Sequence, residues 1–319
     1  MSEYSSIPGK LRRLRRFYGR YGFGRTVVRV LQKGWDRLLA ILFPPWAAAA
    51  RPLVHLRIAW RSFLRRSGLP LKSEAMRRLE ALKDRHRGER CFIACTGPSL
   101  CREDLELLRG EISFGMNTIP LIYPQTDWRP TYYVVVDNYI LGDFLRFHEP
   151  PGGRYSERES FFSTLLHPCC RSEDQHFCLI HCGNHTKKNL RLGRLRLSGD
   201  PAVCIFDGFT VTIMAIQLAV WMGFTEIYLL GADCNYSAGK MHFIETEFDR
   251  RTRGDPFYSE AERLSRLGYR ATREFAEERG CRIFNATRGG MLEEFPRVSL
   301  EEALAGKKEK DGSDPDPER

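Results

Sequence analysis

The chain has 319 residues, of which 42% are hydrophobic and 12% aromatic, and this apolar content excludes a wholly disordered protein. The net charge of +10 is unevenly distributed: Met1–Arg66 holds 15 basic and 2 acidic residues (+13), and the rest holds 35 basic and 38 acidic residues (−3). The sequence therefore predicts a near-neutral globular body with a basic N-terminal arm, not a uniformly basic protein.

The arm, residues 1–70, is predicted to be helical and amphipathic. Its longest apolar run, 38–50, contains Pro44 and Pro45 and is shorter than the roughly 20 residues that a membrane-spanning helix needs. Apolar residues at helical spacing with arginines beside them predict that 1–66 binds an anionic membrane surface, so we expect a cytoplasmic protein that is peripheral on the inner face of the cell membrane. Packing on the body or on another subunit of a homo-oligomer is the alternative. We expect no nucleic acid partner, because no known nucleic-acid-binding motif accompanies the charge.

From residue 71 onward, short apolar segments alternate with helical ones. Such alternation predicts an α/β fold over 71–305, with a mostly parallel sheet and helices on both faces. The range 149–200, rich in Pro, Gly, Cys and His, is predicted to be an insertion or lid, and 306–319 a disordered tail. The predicted strands are 91–95, 112–116, 132–136, 177–181, 226–231 and 281–285, and the predicted helices are 73–87, 101–109, 139–147, 208–222 and 259–279.

Polar residues follow several of the predicted strands, where α/β sheets bind ligands. Gly97 permits a tight turn after the first strand, and Ser99 can cap the next helix, whose N-terminus would attract phosphate; an ordinary βα turn is the alternative. Asn117 follows the second strand and either closes a turn or contacts a ligand. Asp137 follows the third strand, where a carboxylate is costly to bury without a partner.

Further candidates lie later in the chain. Asp233 follows the strand 226–231, and Tyr236 and His242 come within the next ten residues. Thr210 either caps the helix 208–222 or, with its free amides, holds phosphate. Arg288 follows the last strand and is either a phosphate ligand or a solvated surface arginine.

Metal and dinucleotide motifs are not found in the sequence. The Cys and His residues of 167–185 are dense, but they do not form paired CxxC knuckles, so no metal site is predicted. Neither the GxxxxGK[ST] motif nor the GxGxxG motif occurs. The ten cysteines are expected to be reduced, because no secretion signal is recognised in the sequence.

The order of several segments resembles a known group of enzymes. The chain is similar to the 6-hydroxymethylpterin diphosphokinase MptE-like family and to the bacterial family-42 sialyltransferases, over roughly 90–305 and poorly over 149–200. The segments are CFIACTGPSL (91–100), FGMNT (114–118), YYVVVD (132–137), DGFTVTIMAIQLAVWMGFTEIYLLGADCNY (207–236), IFNATRGG (283–290) and VSLEEAL (298–304).

This resemblance implies a Rossmann-like nucleotide-binding fold. In the sialyltransferases the matching residues hold the nucleotide of a CMP-sugar. They are Gly97, Pro98, Ser99, Asn117 and Thr210, with Asp137 where those enzymes place an Asn.

The catalytic residues of the sialyltransferases match less well. Their catalytic His has no counterpart before the late helix, so His242 is predicted as the general base. Tyr236 lies only near the position of their tyrosine pair, and Asp233 completes the predicted catalytic set.

The predicted function is transfer of a sugar from a CMP-sugar type of donor to a cell-envelope glycan, without a cofactor and with Arg288 beside the departing phosphate. The first alternative is an ATP- and magnesium-dependent diphosphokinase, with Asp137 and Asp233 as metal or substrate ligands. The second alternative is a nucleotide-binding protein without catalysis.

Overall fold

A parallel β-sheet is the central element of the structure, which is a computed structural model. The structure describes residues 46–67, 74–135, 156–163, 175–178, 180–181, 195–206, 208–235, 239–246, 249–250 and 256–311. Among these residues the sheet has seven strands in the order β5-β4-β3-β2-β1-β8-β9, all parallel, and two further strands, β6 and β7, pair separately. The strands are β1 (Arg90–Ala94), β2 (Ser113–Met116), β3 (Tyr132–Val135), β4 (Glu159–Ser163), β5 (Gln175–Cys178), β6 (Ile180–His181), β7 (Ile205–Phe206), β8 (Glu226–Leu230) and β9 (Arg282–Asn285).

Helices supply the apolar surface against which the sheet is buried. Successive residues of β1 point to opposite faces, so Ile93 joins one hydrophobic cluster with α4 and Phe92 joins another with α6. The described helices are α1 (Trp46–Ser67), α2 (Glu74–Glu80), α3 (Arg102–Leu107), α4 (Val211–Trp221), α5 (Pro256–Glu277) and α6 (Leu300–Asp311), with a 3₁₀ helix at Ile119–Gln125. The predicted α/β fold with helices on both faces is therefore confirmed.

The strand order reverses at β1. From β1 the chain adds β2 to β5 on one side and later places β8 and β9 on the other side. In open parallel sheets, the loops that leave the carboxyl ends of the strands separate at such a point and leave a crevice between them. The junction of β1 and β8 is therefore where the fold itself predicts a ligand site.

Helix α4 is fixed by a buried polar side chain. It is apolar around most of its circumference, and Gln217 in its middle is completely buried. The Gln217 Oε1 accepts from the amides of Ser198 at 2.8 Å and Phe206 at 3.3 Å, and its Nε2 donates to the Phe206 carbonyl at 2.8 Å. Since an unpaired buried amide would be costly, these bonds fix α4 relative to β7.

Three parts of the sequence interpretation need correction. The range 149–200 is not simply an insertion or lid, because β4 and β5 arise from it and hydrogen-bond into the main sheet. The tail is helical to Asp311, since α6 continues past Gly306. The predicted strand 177–181 is divided between β5 and β6, which belong to different sheets.

Other predictions lie wholly or partly outside the described residues. Residues 1–45 of the predicted arm, the predicted helix 139–147 and the last eight residues, 312–319, are outside them. In the part of the chain that the structure covers, no helix has both the length and the apolar character needed to cross a bilayer.

His86 is buried beside the first residue of β3. Its Nε2 lies 2.6 Å from the hydroxyl of Tyr132, and its ring stacks on Phe224 with the centroids 4.6 Å apart. Burial lowers the pKa of His86, and the charges of Arg158 and Arg85 lower it further. Together these effects outweigh the hydrogen bond and the charge of Glu89, which raise the pKa. The folded state therefore favours the neutral imidazole.

We expect His86 to make the protein less stable as the pH falls below 6.5, the ordinary pKa of histidine. The unfolded chain takes up a proton there before the folded chain does, so stability falls from pH 6.5 down to the lower folded-state pKa. His86→Gln should be less stable at pH 7.5, but its stability should fall less between pH 7 and pH 5. Urea denaturation across this range measures both slopes, and equal slopes would contradict the assignment.

Candidate functional site

A cleft opens at the carboxyl edge of the sheet, beyond the paired ends of β1 and β8. It holds about 510 Å³ of empty space, part of it open to solvent. Its walls are the turn after β1, the end of β2, the start of α4 and the segments that follow β8. The structure brings these predicted residues together along it: Gly97, Pro98, Asn117, Thr210, Asp233 and His242.

Asp233 and Ser99 join the two walls that come from β8 and β1. The carboxylate Oδ2 of Asp233 accepts from the Ser99 hydroxyl at 2.8 Å and from the Ser99 amide at 3.2 Å. Asp233 is only 8% exposed, so these two donors replace part of the water that its oxygen has lost. The carboxylate therefore holds the Gly97–Ser99 turn in place, a role that the sequence did not reveal.

Gly97 permits the close approach of this turn to β8. Its amide donates to the Gly231 carbonyl at 2.9 Å. A Cβ added at Gly97 would lie 2.1 Å from the Asp233 Oδ2 and 2.3 Å from the Gly231 carbonyl oxygen. Both distances are far inside van der Waals contact, so only glycine fits without displacing the turn.

Two asparagines present unsatisfied acceptors near the cleft. The Oδ1 atoms of Asn117 and Asn235 are buried and have no hydrogen-bond partner among the described residues, and both residues line the cleft. A buried amide oxygen without a donor is destabilising by about 1–3 kcal/mol. We therefore treat Asn117 and Asn235 as candidate contacts for hydrogen-bond donors of a ligand.

Backbone strain is concentrated around the same cleft. In the described part of the chain, four residues other than glycine have positive φ, and three of them are Asn117 (43°), Phe209 (75°) and Cys234 (51°). Asn117 and Cys234 line the cleft, and Phe209 directly precedes Thr210, which also lines it. Left-handed backbone costs about 1–3 kcal/mol at such residues and occurs preferentially at ligand sites.

The N-terminus of α4 faces the cleft. Thr210 caps it: its Oγ1 accepts from the Thr212 amide at 3.4 Å, and Thr210, Val211 and Thr212 all line the cleft. An 11-residue helix presents partial positive charge at this end. The wall formed by α4 therefore favours an anionic group such as phosphate.

His242 forms a pair with an aspartate that sequence reasoning missed. The His242 Nδ1 lies 2.8 Å from the Oδ1 of Asp249, and the Oδ2 of Asp249 accepts from the amide of Thr246 at 2.7 Å and from its hydroxyl at 2.8 Å. Burial raises the pKa of Asp249, but the hydrogen bond and charge of His242 and the bonds from Thr246 outweigh this effect and lower it. An ionised carboxylate only accepts, so this contact selects the tautomer of a neutral His242 ring in which Nδ1 carries the proton and Nε2 keeps its lone pair.

The segment that carries His242 is attached to the turn after β1. The Phe243 amide donates to the Thr96 carbonyl at 2.9 Å, and the side chains of Met241 and Phe243 are buried on either side of His242. The His242 side chain is 27% exposed and lines the cleft. Among the described residues, no hydrogen bond occupies its Nε2, so this nitrogen is available as a base.

The cleft thiols are unsuited to nucleophilic attack. Burial raises the pKa of Cys95 to about 12 and that of Cys234 to about 12. Both thiols are therefore neutral at physiological pH, and a thiol that holds its proton is a weak nucleophile. Of the groups at the cleft whose protonation is described, the His242–Asp249 pair is the one suited to proton transfer.

Arg288, which the sequence predicted to contact phosphate, does not line the cleft. Its guanidinium donates twice to the buried carboxylate of Asp104, at 2.7 Å and 3.0 Å, and also lies 3.4 Å from Glu301. These acidic partners raise the pKa of Arg288. Arg288 therefore has acidic partners outside the cleft lining, and its role as a phosphate ligand stays a prediction.

Two predicted residues, Asp137 and Tyr236, lie outside the described residues. Asn235 and Asp249 are the candidates that sequence reasoning missed. Asp249 had a local signal, because Thr246-Glu-Phe-Asp249 is the S/T-x-x-acid pattern of a capping box, and the two residues bond reciprocally as that motif requires. Among the described residues, no group of three or more His, Cys, Asp and Glu side chains is arranged to bind a metal.

Comparisons with known proteins give similar folds at low identity. The Maf glycosyltransferase of Magnetospirillum magneticum is 17% identical, with a TM-score of 0.45 over 75% of this chain and 41% of its own. This chain thus covers about two fifths of that protein. The sialyltransferase CstII of Campylobacter jejuni, in complex with the substrate analogue cytidine-5'-monophosphate, is 15% identical, with a TM-score of 0.41 over 67% of this chain and 86% of its own. A variant of CstII in complex with CMP is 14% identical, with a TM-score of 0.39 over 66% and 86%.

No protein-family model and no curated protein matches the chain. The resemblance to the MptE-like family therefore stays a prediction.

Replacing Gly97 tests the contact between the turn and β8. Gly97→Ala should destabilise the protein by about 1–3 kcal/mol, because overpacking forces the turn away from Asp233. Gly306→Ala is the control: Gly306 is exposed in α6, its added Cβ would meet nothing within 4 Å, and the change should be neutral or stabilising by about 0.5–1 kcal/mol. Urea denaturation measures both changes, and equal stabilities would contradict the tight approach.

Proposed function

We propose that the chain is a glycosyltransferase that takes its sugar from a nucleotide-activated donor of the CMP-sugar type and transfers it to a hydroxyl of a cell-envelope glycan. The observation that supports this most strongly is the pairing of two chemistries in one cleft. One wall carries a histidine oriented by a buried carboxylate, and another carries a helix N-terminus suited to phosphate. A base and an anion site are what displacement of a phosphate leaving group requires.

His242 is the proposed general base. Asp249 accepts the hydrogen bond from Nδ1, which leaves Nε2 to remove the proton from the acceptor hydroxyl. The acceptor oxygen forms a bond to the anomeric carbon while the bond from that carbon to the phosphate oxygen breaks, and its electron pair leaves with the nucleotide. The Asp249 carboxylate then stabilises the imidazolium that results.

The nucleotide would be held by the other walls of the cleft. The N-terminus of α4 at Thr210 would stabilise the phosphate as its negative charge increases in the transition state. The buried Oδ1 atoms of Asn117 and Asn235 would accept from the sugar hydroxyls or the exocyclic amine of the nucleoside, which are hydrogen-bond donors. The Gly97–Ser99 turn would form the floor between these contacts.

Asp233 is proposed as a positioning residue, not a catalytic one. Its Oδ2 accepts two hydrogen bonds from Ser99, so its charge serves the turn. The same bonds weaken the diphosphokinase alternative, in which Asp233 would be a ligand of magnesium or substrate, and we derive no step through a metal.

A thermal-shift experiment with CMP alone, or with ATP and magnesium, separates the two functions. Stabilisation by CMP without metal supports sugar transfer, and stabilisation only by ATP with magnesium supports the diphosphokinase.

The variant Asn117→Gly distinguishes the backbone strain at Asn117 from the contribution of its side-chain amide to CMP binding. Glycine adopts the φ of 43° without strain, so the variant should be at least as stable as the wild type. It loses the amide, and its affinity for CMP should fall about tenfold, as expected for loss of a buried hydrogen bond. Asp84→Gly is the matched control, because Asp84 also has positive φ (57°) but does not line the cleft. Calorimetric titration with CMP should show unchanged affinity for that control; equal losses in both variants would contradict the site.

The base assignment has its own test. His242→Ala should lower kcat for release of CMP from CMP-N-acetylneuraminate by about 10²–10⁴-fold, since general base catalysis contributes that much. Asp249→Asn should lower kcat less and leave KM nearly unchanged, because it alters the orientation of the base and not donor binding. CMP titration confirms that each variant still binds nucleotide. Full turnover by His242→Ala with CMP binding intact would eliminate the proposed base.

A further inference from the structure

The helix α1 exposes an apolar face. Leu56 is 68% exposed, Trp60 51% and Phe63 50%, and the rings of Trp60 and Phe63 stack with centroids 5.6 Å apart. At about 100° per residue the three side chains lie within about 60° of one another around the helix. They form one continuous face, which we call the Trp60 face. The described part of the chain has two other large hydrophobic residues this exposed, Leu107 (48%) and Met291 (46%), and they lie in separate segments.

The charge of the helix favours an anionic partner. Residues 46–67 contain five arginines and no acidic residue, within an N-terminal segment, 1–66, whose net charge is +13. Arg61 is buried and Arg65 pairs with Asp200 at 3.0 Å and Glu80 at 3.4 Å, so these two do not carry the attraction, which rests on the other basic residues of the segment. A second copy of the same helix would bring like charges together around the Trp60 face, which opposes self-association. An anionic surface that also accepts apolar side chains satisfies both properties of the helix.

We propose that α1 lies in the plane of an anionic lipid bilayer, with the Trp60 face inserted at the level of the headgroups and basic residues of the segment 1–66 other than Arg61 and Arg65 in contact with lipid phosphates. Tryptophan suits this depth because its ring is apolar and its N–H is polar. Arginine interacts with phosphate through several donors, and its aliphatic stem covers apolar surface. This inference does not depend on the proposed enzymatic function.

The first test is flotation of the full chain with vesicles. Vesicles of 70% phosphatidylcholine and 30% phosphatidylglycerol should bind the wild type, and pure phosphatidylcholine or 0.5 M NaCl should reduce binding, because electrostatic attraction is screened. The triple variant Leu56→Ser, Trp60→Ser, Phe63→Ser should lose at least about tenfold in partition coefficient, as expected for three apolar side chains. Leu107→Ser is the matched control and should bind like the wild type. The far-ultraviolet circular dichroism of all the variants shows whether they are folded.

The second test reports the depth of Trp60. Brominated lipids should quench a component of the tryptophan fluorescence that is absent from Trp60→Phe, while that variant still binds vesicles. The other four tryptophans, Trp35, Trp46, Trp128 and Trp221, are common to both proteins, so the difference between the two proteins reports Trp60 alone.

Several outcomes would overturn the proposal: no flotation of the wild type, equal binding by the folded triple variant, or equal binding to neutral vesicles. Dimerisation that the triple variant abolishes, without any lipid binding, would assign the face to a second copy. Preferential binding of the wild type to nucleic acid in place of vesicles would also reject the bilayer.

Discussion

The contact between Asp233 and Ser99 is the constraint on which the cleft depends. It lies where the strand order reverses, so the loops after β1 and β8 would otherwise separate freely. One carboxylate oxygen receives both donors of Ser99, and the missing side chain of Gly97 lets the turn approach that oxygen. On its other side, the backbone of Asp233 accepts from the Met291 amide at 2.7 Å. Asp233 thus connects the segments after three strands, because its carboxylate binds the turn after β1 and its backbone carbonyl binds the segment after β9, while Asp233 itself follows β8.

The interactions that stabilise the fold and the features that could bind a ligand lie in different parts of the body. The two hydrophobic clusters on the faces of the sheet bury complete aromatic side chains, and the buried Gln217 makes hydrogen bonds with both ends of its amide. The cleft, in contrast, retains unsatisfied amide oxygens and left-handed backbone at residues other than glycine. These local costs persist only because the surrounding core overcomes them.

Much of the fold was predictable because its strands are apolar and because α4 and α6 are capped by the adjacent Thr210 and Ser299. The cleft was predictable in outline for the same reason: Gly97, Asn117, Thr210 and Asp233 all lie at element ends, and parallel strands bring those ends to one edge. Contacts distant in sequence were not predictable. Arg288 meets Asp104 184 residues away, which no local pattern indicates. The short strand β4 reads ESFFS and begins and ends with polar residues, so it lacks the continuous apolar run of β1 or β3.

The uneven charge of the chain limits how the cleft would attract the proposed anionic donor. Outside the first 66 residues the net charge is −3, so the body generates no general field that would draw in a nucleotide. Attraction must come from short-range features, the N-terminus of α4 and the amides around it, which act within the first turn of a helix. Salt weakens interactions over distances longer than about 8 Å at physiological ionic strength, and such buried contacts are screened much less. Nucleotide binding should therefore respond weakly to salt, while any interaction carried by the arginines of α1 should respond strongly, which separates the two chemistries within one chain.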